Sequence, residues 1–401
     1  MKVLQINACY GFLSTGIIVQ DIEKILEQAG HTAYVAYQQG ELSAPKGYKV
    51  GSRADRLFHG LHTRVFGKQG YASKGETRKL LRWIDEIGPD IVHLHNLHSN
   101  YLHFNLLTEY LAKKNIKTVY TFHDCWAFTG KCTHYASAGC HKWKTTCGSC
   151  PQLKKEAPSF FFDPTAKVLK DRVAHLNAIA DLTVVPCSNW MKEQVEQSLL
   201  TPKRLLTIYN GIDTRTFYPH ESDFREKNGL TDEFLILGMA NKWSLEQNKD
   251  GVKFLLENLG EKERIVLVGC NEAQKAYFSA FEKVLAFGFV QSREELAHIY
   301  AACDVFVNLT YEDTLPTVNM ESLCCATPVI TFDSCGSPEL VPQGMGIVVP
   351  QGDFAGVLRG IRKIQEKGIT TDNKLAQSLF DRDSCYQKYV DLYMQIIEDK
   401  R

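Results

Sequence analysis

No apolar run in these 401 residues approaches the ~20 needed to cross a bilayer, so the sequence offers no candidate spanning helix. Net charge is missing as well. The 46 Lys and Arg match 46 Asp and Glu, which argues against a general nucleic-acid coat protein, and no nucleic-acid partner is expected. Low-complexity tracts are absent, and with 44% hydrophobic and 23% charged residues the chain falls outside the disordered and collagen-like classes. The opening Met1-Lys2-Val3-Leu4-Gln5-Ile6-Asn7 lacks the form of a secretory signal and reads as a buried first strand, so a cytoplasmic protein is expected. In that compartment the 13 cysteines, an odd number, suit reduced thiols or metal ligands better than a disulfide framework.

What is present is alternation. Short apolar, β-branched runs at 3–6, 33–37, 91–94, 118–122 and 182–186 read as strands, with helical patterns between them such as 17–29 and 77–87. The second half repeats the scheme, with strands at 234–239, 265–268, 305–309, 328–332 and 347–349 and helices at 251–259, 293–301 and 317–326. This predicts an α/β protein of two Rossmann-like, doubly wound parallel-sheet domains. The break falls near Tyr209-Asn210-Gly211-Ile212-Asp213, because Asn-Gly tolerates positive φ and marks a turn. The domains are therefore expected at 1–209 and 210–380, with an amphipathic helix at 384–400 within a closing segment 381–401. Ligands of such sheets sit at the carboxyl ends of strands, and two domains facing a cleft suit a two-substrate reaction that excludes water.

The segment Tyr311-Glu312-Asp313-Thr314-Leu315-Pro316-Thr317-Val318-Asn319-Met320-Glu321 follows one of these strands. Pro316 suits the first helical position, where its missing N–H costs little. The N–H groups of Thr317 and Val318 would then face outward from a helix end carrying about +0.5 charge, a setting for a diphosphate. Asp313 precedes the helix. Glu321 lies about one turn inside it, toward the cleft if Val318, Leu323 and Ala326 form the apolar face. Carboxylates fit beside a phosphate site when they accept from hydroxyls, which sugars and riboses supply. A capping acid plus a solvated glutamate explains the same spacing equally well. Lys242 and Lys249 could carry the charge of a departing diphosphate or could simply be solvated. In Gly11-Phe12-Leu13-Ser14-Thr15-Gly16, small residues after the first strand would let the backbone approach a donor or acceptor phosphate.

Asp313 and Glu321 with seven residues between them, continued by Ser322-Leu323-Cys324-Cys325-Ala326-Thr327-Pro328-Val329-Ile330, resemble the E-x7-E motif and the E-A-x-A-x-G-x-P-V-I continuation of family 4 of the retaining glycosyltransferases. Ser322 stands where Ala is usual and Thr327 where Gly is usual. Asp313 has the spacing of the first acid, with Glu312 one residue further away. Gly336-Ser337-Pro338-Glu339 resembles the family's G-G-S-P-E loop, and Asn210-Gly211-Ile212-Asp213 its interdomain junction. Phe122-His123-Asp124-Cys125-Trp126-Ala127-Phe128-Thr129-Gly130 resembles a motif of the subgroup making capsular and colanic-acid-type exopolysaccharide.

The resemblance implies the GT-B fold and transfer of a hexose-type sugar from a nucleotide-diphosphate donor, with retention and without a catalytic metal. The acceptor would be a glycan or lipid-linked glycan in surface polysaccharide synthesis. Catalytic roles fall on His123, Asp313 and Glu321, the histidine contacting the sugar near its reacting carbon. A buried structural imidazole is the alternative account of His123. Donor contacts fall on Gly16, Lys242 (an Arg in the family), Lys249, Val290, Leu315, Pro316, Thr317, Val318 and Glu321. Acceptor-side contacts fall on Ser14, Thr15, His95, Asn96, Asp124 and Trp126. Two rival readings use the same residues: a GT-B sugar-nucleotide epimerase or hydrolase, and a non-catalytic sugar-nucleotide-binding subunit.

Three features stand outside that scheme. Cys132, Cys140, Cys147 and Cys150 lie within 19 residues and could brace a loop through structural zinc, stay free thiols, or pair. His93, His95, His98 and His103 have a metal-like density, although a strand end and its loop explain most of them. The stretch 46–82 carries ten Lys and Arg against Asp55 and Glu76, interleaved with Leu57, Phe58, Leu61, Val65 and Phe66. It reads either as a contact with an anionic membrane, peripheral on its inner face, or as an ordinary solvated face.

Overall fold

A computed structural model describes residues 1–42, 46–243, 246–369 and 371–399. The chain divides into two compact units, Met1–Tyr209 with Asp383–Arg401, and Asn210–Arg382.

The first unit is built on seven parallel strands: β1 (Lys2–Cys9), β2 (Thr32–Gln39), β3 (Gly47–Lys49), β4 (Ile91–Leu94), β5 (Lys117–Phe122), β6 (Leu182–Pro186) and β7 (Arg204–Leu205). Their order is β3-β2-β1-β4-β5-β6-β7. Its helices are α1 (Leu13–Gln28), α2 (Arg53–Phe66), α3 (Lys74–Ile87), α4 (Phe104–Lys113), α5 (Thr165–Asn177) and α6 (Asn189–Glu196). The second unit carries β8 (Phe234–Met239), β9 (Glu263–Val268), β10 (Val284–Ala286), β11 (Val305–Asn308), β12 (Val329–Phe332) and β13 (Gly346–Val349), in the order β10-β9-β8-β11-β12-β13. Its helices are α7 (Phe224–Lys227), α8 (Lys249–Glu257), α9 (Glu272–Phe278), α10 (Arg293–Ala302), α11 (Thr317–Cys324), α12 (Phe354–Lys367) and α13 (Asn373–Phe380); α14 (Arg382–Glu398) closes the chain. Strand–helix alternation thus gives two parallel α/β sheets, as the pattern predicts.

Parallel strands covered on both faces are mostly apolar, and β1, β4, β5 and β6 are buried almost end to end, with Gln5, Asn7 and His93 as buried polar exceptions. From Asp383 onward α14 belongs to the first unit, where Tyr386, Tyr389, Tyr393 and Ile396 join Val3, Ile22, Ile91 and Val119 in one core cluster. Lys400, where the sequence pattern ended, lies outside the described residues.

The basic stretch folds into β3, α2 and α3, and α2 is inside out. His59, Gly60 and Thr63 are buried, whereas Leu57, Phe58 and Leu61 are 62%, 66% and 59% exposed. The inward polar groups are satisfied: His59 Nδ1 bonds Ser73 Oγ (2.9 Å), Gly70 N donates to His59 Nε2 (3.1 Å), and Thr63 Oγ1 donates to Asn100 Oδ1 (2.9 Å). Phe66 stacks on Phe162 at 6.1 Å between centroids, and Phe160, Phe161 and Phe162 are themselves exposed. Among the described residues no helix is long and apolar enough to cross a membrane.

Each sheet has one point where strand order reverses, between β1 and β4 in the first unit and between β8 and β11 in the second. Connections leave these neighbouring strands in opposite directions, so a crevice opens at their carboxyl ends.

Candidate active site

In the second unit that crevice is bounded by Lys242, three residues past β8, and by Asp313, five past β11. Lys242 Nζ pairs with Asp313 Oδ2 at 2.9 Å and donates to Thr310 Oγ1 at 3.2 Å. Asn248 holds the lysine loop in place by donating from Nδ2 to Lys242 O (3.0 Å) and Leu309 O (3.3 Å). Lys249 is the exposed first residue of α8. Gly251 has a packing role, because a Cβ there would meet the Phe354 ring at 2.0 Å.

Helix α11 begins one residue later than its sequence suggests. Pro316 is extended (φ −71°, ψ 100°) and serves as the cap, and Thr317 is the first helical residue. Its fixed φ fits the extended cap as well as a helix, so the sequence does not separate the two. Leu315 and Pro316 are buried. The amides of Thr317 and Val318 precede the first intrahelical acceptor, and both residues are half-exposed. The helix is buried on most sides by Asn319, Met320, Ser322, Leu323 and Cys324. The expected apolar face of Val318, Leu323 and Ala326 therefore needs correction: Val318 shares the open side with Thr317 and Glu321, and Ala326 lies beyond the helix at φ 65°.

Tyr300 reaches the Glu321 carboxylate from its hydroxyl at 3.2 Å. Burial pushes the Glu321 carboxyl up to about 7, against the opposing pull of Arg293 and the Tyr300 hydroxyl. Asn308 Nδ2 donates to Asn319 Oδ1 (2.8 Å), tying the helix to the end of β11. The two departures from the family pattern support each other. Ser322 Oγ donates to Thr327 O (2.8 Å), and Thr327 Oγ1 donates to Tyr300 O (2.6 Å), the residue that holds Glu321.

Val290 lies apart from this group. It lines a cavity of about 900 Å³ with Phe224, Phe287, Glu295 and His298, to which Lys242, Asp313 and Glu321 do not contribute.

In the first unit the reversal point gathers Ser14 and Thr15 after β1 with His95 and Asn96 after β4; His123 and Asp124 follow the adjacent β5. Gly16 is buried within α1, and its Cβ would come within 3.1–3.3 Å of Cys9. Its smallness thus serves helix–strand packing. Asn7 Oδ1 accepts from Asn96 N at 3.1 Å and links the two loops.

A chain of hydrogen bonds orients the histidines. Gln5 Nε2 donates to Val19 O (3.0 Å), so Gln5 Oε1 faces His95 Nε2 (3.1 Å) as an acceptor. His95 Nε2 then carries the proton, and His95 Nδ1 accepts from His123 Nε2 (3.1 Å). Both rings are held neutral. Burial drives His95 well below the ordinary range and His123 down to about 4, the latter against the pull of Asp124. His93 lies deeper, between Thr121 Oγ1 (2.7 Å) and Tyr393 OH (2.6 Å). His103 caps α4, accepting from Leu106 N at 3.2 Å. Asp124 pairs with His98 at 2.8 Å and accepts from Trp126 N at 2.8 Å. Burial acts to raise Asp124, but these partners hold it below the usual carboxylate range.

Trp126, expected on the acceptor side, is a core residue. It is 1% exposed, donates from Nε1 to Gln69 Oε1 (2.9 Å), and lies under Arg172 at 3.5 Å. The four clustered cysteines are free and line one cavity of about 20 Å³. Among the described residues no three His, Cys, Asp or Glu come together as a metal site, so neither the zinc expectation nor a histidine metal cluster gains a ligand set. Gln5, Tyr300 and Arg293 were not singled out in the sequence. Only Gln5 left a signal there, as a polar residue inside a buried strand.

The description Glycosyltransferase Family 4 matches residues 16–216, and Glycosyl transferases group 1 matches residues 235–367. Over 378 residues the chain is 25% identical to WcaC of Escherichia coli (strain K12), named as a colanic acid biosynthesis glycosyl transferase, covering 88% of each. It is 26% identical over 200 residues to a GDP-mannose-dependent alpha-mannosyltransferase of Mycobacterium tuberculosis, covering 49% of this chain and 51% of that one. Among solved structures it resembles sucrose-phosphate synthase of Thermosynechococcus elongatus (TM-score 0.68, 16% identity, 100% of both chains). Anabaena HepE in complex with UDP is similar (TM-score 0.67, 17% identity, 98% of this chain and 100% of that one).

Proposed function

The chain belongs to glycosyltransferase family 4, and from that premise we propose that it moves a hexose-type sugar from a nucleoside-diphosphate donor to a lipid-linked glycan in surface polysaccharide synthesis. The donor is assigned to the second unit and the acceptor to the first. One observation carries the reading: at the reversal point of the second sheet, the open turn of α11 stands with Lys242 on one side and the half-buried Glu321 behind it.

The turn's N–H groups and Lys242 would hold the diphosphate and stabilise charge as it leaves. Asp313 and Glu321 would accept from sugar hydroxyls. The bond from the anomeric carbon to the phosphate oxygen breaks, and the acceptor oxygen bonds that carbon on the same face. The acceptor proton passes to the departing phosphate, so configuration is retained without a protein base. Helix end and lysines supply the positive charge, so no metal is assigned a role. His123, with its proton on Nε2, keeps the hydrogen-bonding role that the family resemblance assigns it.

The outward apolar stripe of α2 and Phe160–Phe162, with Arg53, Arg56 and Arg64 on the same helix, is assigned to an anionic membrane surface, which would bring the enzyme to a lipid-linked acceptor. Flotation with phosphatidylglycerol vesicles, lost on Phe58→Ser with Leu61→Ser, checks this; equal flotation of both proteins contradicts it.

The proposal is tested by a thermal-shift screen of nucleoside-diphosphate sugars, followed by transfer to lipid-linked glycans with and without chelator. One donor should stabilise the protein, and its product should keep the donor's anomeric configuration by NMR. Donor hydrolysis or epimerisation without an acceptor would favour the rival enzyme, and binding with no turnover a non-catalytic subunit.

A further inference from the structure

At the carboxyl ends of β2 and β3 lies a cavity of about 380 Å³, bounded by Gln38, Gln39, Gly40, Lys49, Arg53 and Arg56, with Phe12 and Glu41 completing its wall. Its composition is unusual. Three cations face one carboxylate, and among the described residues none of the three has a carboxylate within ion-pair distance. Arg53 and Arg56 stand one turn apart at the start of α2 and so project from the same side. The acid between them, Asp55, is engaged elsewhere: its carboxylate accepts from Ser52 N (2.8 Å) and Ser52 Oγ (2.6 Å) in a capping box. Gln38 is only 5% exposed, yet its side-chain oxygen has no hydrogen-bond partner.

We propose that this cavity is a binding site for the phosphate group of the acceptor, with Lys49, Arg53 and Arg56 as its cationic contacts. Arginine forks match phosphate oxygens, and cations left without partners gain most from an arriving anion. The next residues along the helix, Leu57, Phe58 and Leu61, are the exposed stripe described above. A phosphate held by the first turn of α2 therefore has an apolar surface beside it, the arrangement an isoprenoid-type diphosphate needs. The identification of the ligand as acceptor rests on the glycosyltransferase reading; the anion site itself does not.

The test uses the full chain saturated with nucleoside diphosphate, so that any donor site is filled. Inorganic pyrophosphate is titrated by calorimetry into the wild type and into Lys49→Gln, Arg53→Gln and Arg56→Gln. Each substitution should weaken pyrophosphate about tenfold, the effect of losing one charged hydrogen bond, while nucleoside diphosphate binds as before. Farnesyl diphosphate should compete with pyrophosphate and bind more tightly. Phosphatidylglycerol vesicles that compete when farnesyl diphosphate does not would overturn the acceptor assignment in favour of a lipid headgroup. Pyrophosphate binding unchanged in all three variants would overturn the site, whatever the outcome of the transfer assay.

Discussion

Lys242 and Asp313, from the ends of adjacent strands β8 and β11, form an ion pair of 2.9 Å with both side chains about three-quarters buried. On the proposed reading, the acid pairs with the same cation that a diphosphate would use. Asp313→Asn should therefore tighten nucleoside diphosphate binding about threefold to tenfold, as the competing charge is removed, while transfer falls because a hydroxyl acceptor is lost. Lys242→Ala should weaken the same ligand about tenfold. Calorimetry with the nucleoside diphosphate separates these outcomes, and an Asp313→Asn protein that binds it more weakly contradicts the competition.

Glu321 makes a pH-dependent contribution whose sign is fixed by its raised value. Its carboxyl sits at about 7 in the folded chain against an ordinary 4.5, so the folded state binds more protons between those values and stability falls as pH rises through them. Glu321→Gln removes this cost. Because Glu321 keeps some solvent contact, the gain at pH 8 should be of order 1–2 kcal/mol rather than the full figure for such a shift. It should disappear below about pH 4.5. Urea denaturation at both pH values checks it; an equal difference at the two pH values contradicts it.

The histidine chain acts in the opposite sense. His123 is lowered to about 4 from 6.5, so its contribution is fully present above pH 6.5 and is lost as pH falls through 4. Acid destabilisation over that window should be shallower in His123→Asn. Nitrogen-detected NMR should find the proton on Nε2 of both His95 and His123 at pH 7.5, and Gln5→Leu should shift that tautomer balance. A proton on Nδ1 of either ring in the wild type would contradict the hydrogen-bond chain.

Trp126 provides a control of a different kind. As a buried ring under Arg172 it should matter for stability and not for acceptor recognition. Trp126→Phe removes the indole donor to Gln69 and leaves a smaller ring, a loss of about 1–3 kcal/mol. The acceptor KM should stay within twofold; a tenfold rise would restore Trp126 to the acceptor side.

Strands were the most legible part of the sequence, because buried parallel strands write short apolar runs such as Phe234–Met239, and Ile91–Leu94 keeps that character around His93. Helix α2 was not, since its apolar residues point outward and its inward face is made of His59, Gly60 and Thr63. The motif residues around α11 were legible from spacing, but spacing does not reveal that Pro316 is a cap or that Val318 is on the open side. Trp126 was misread because a motif position says that a residue is needed, not whether a ligand or the core needs it, and Gly16 likewise answers a packing need. Tyr300 meets Glu321 only through tertiary packing of α10 against α11, which no local pattern records.

The central claim is that the open turn of α11 grips the donor's phosphates. Amide hydrogen exchange at Thr317 and Val318, followed by NMR with and without the nucleoside diphosphate of the stabilising donor, addresses it directly. These two amides should gain protection on ligand binding and change more than the amides of the 900 Å³ cavity around Val290. Protection confined to that cavity, with Thr317 and Val318 exchanging as freely as before, would contradict the account.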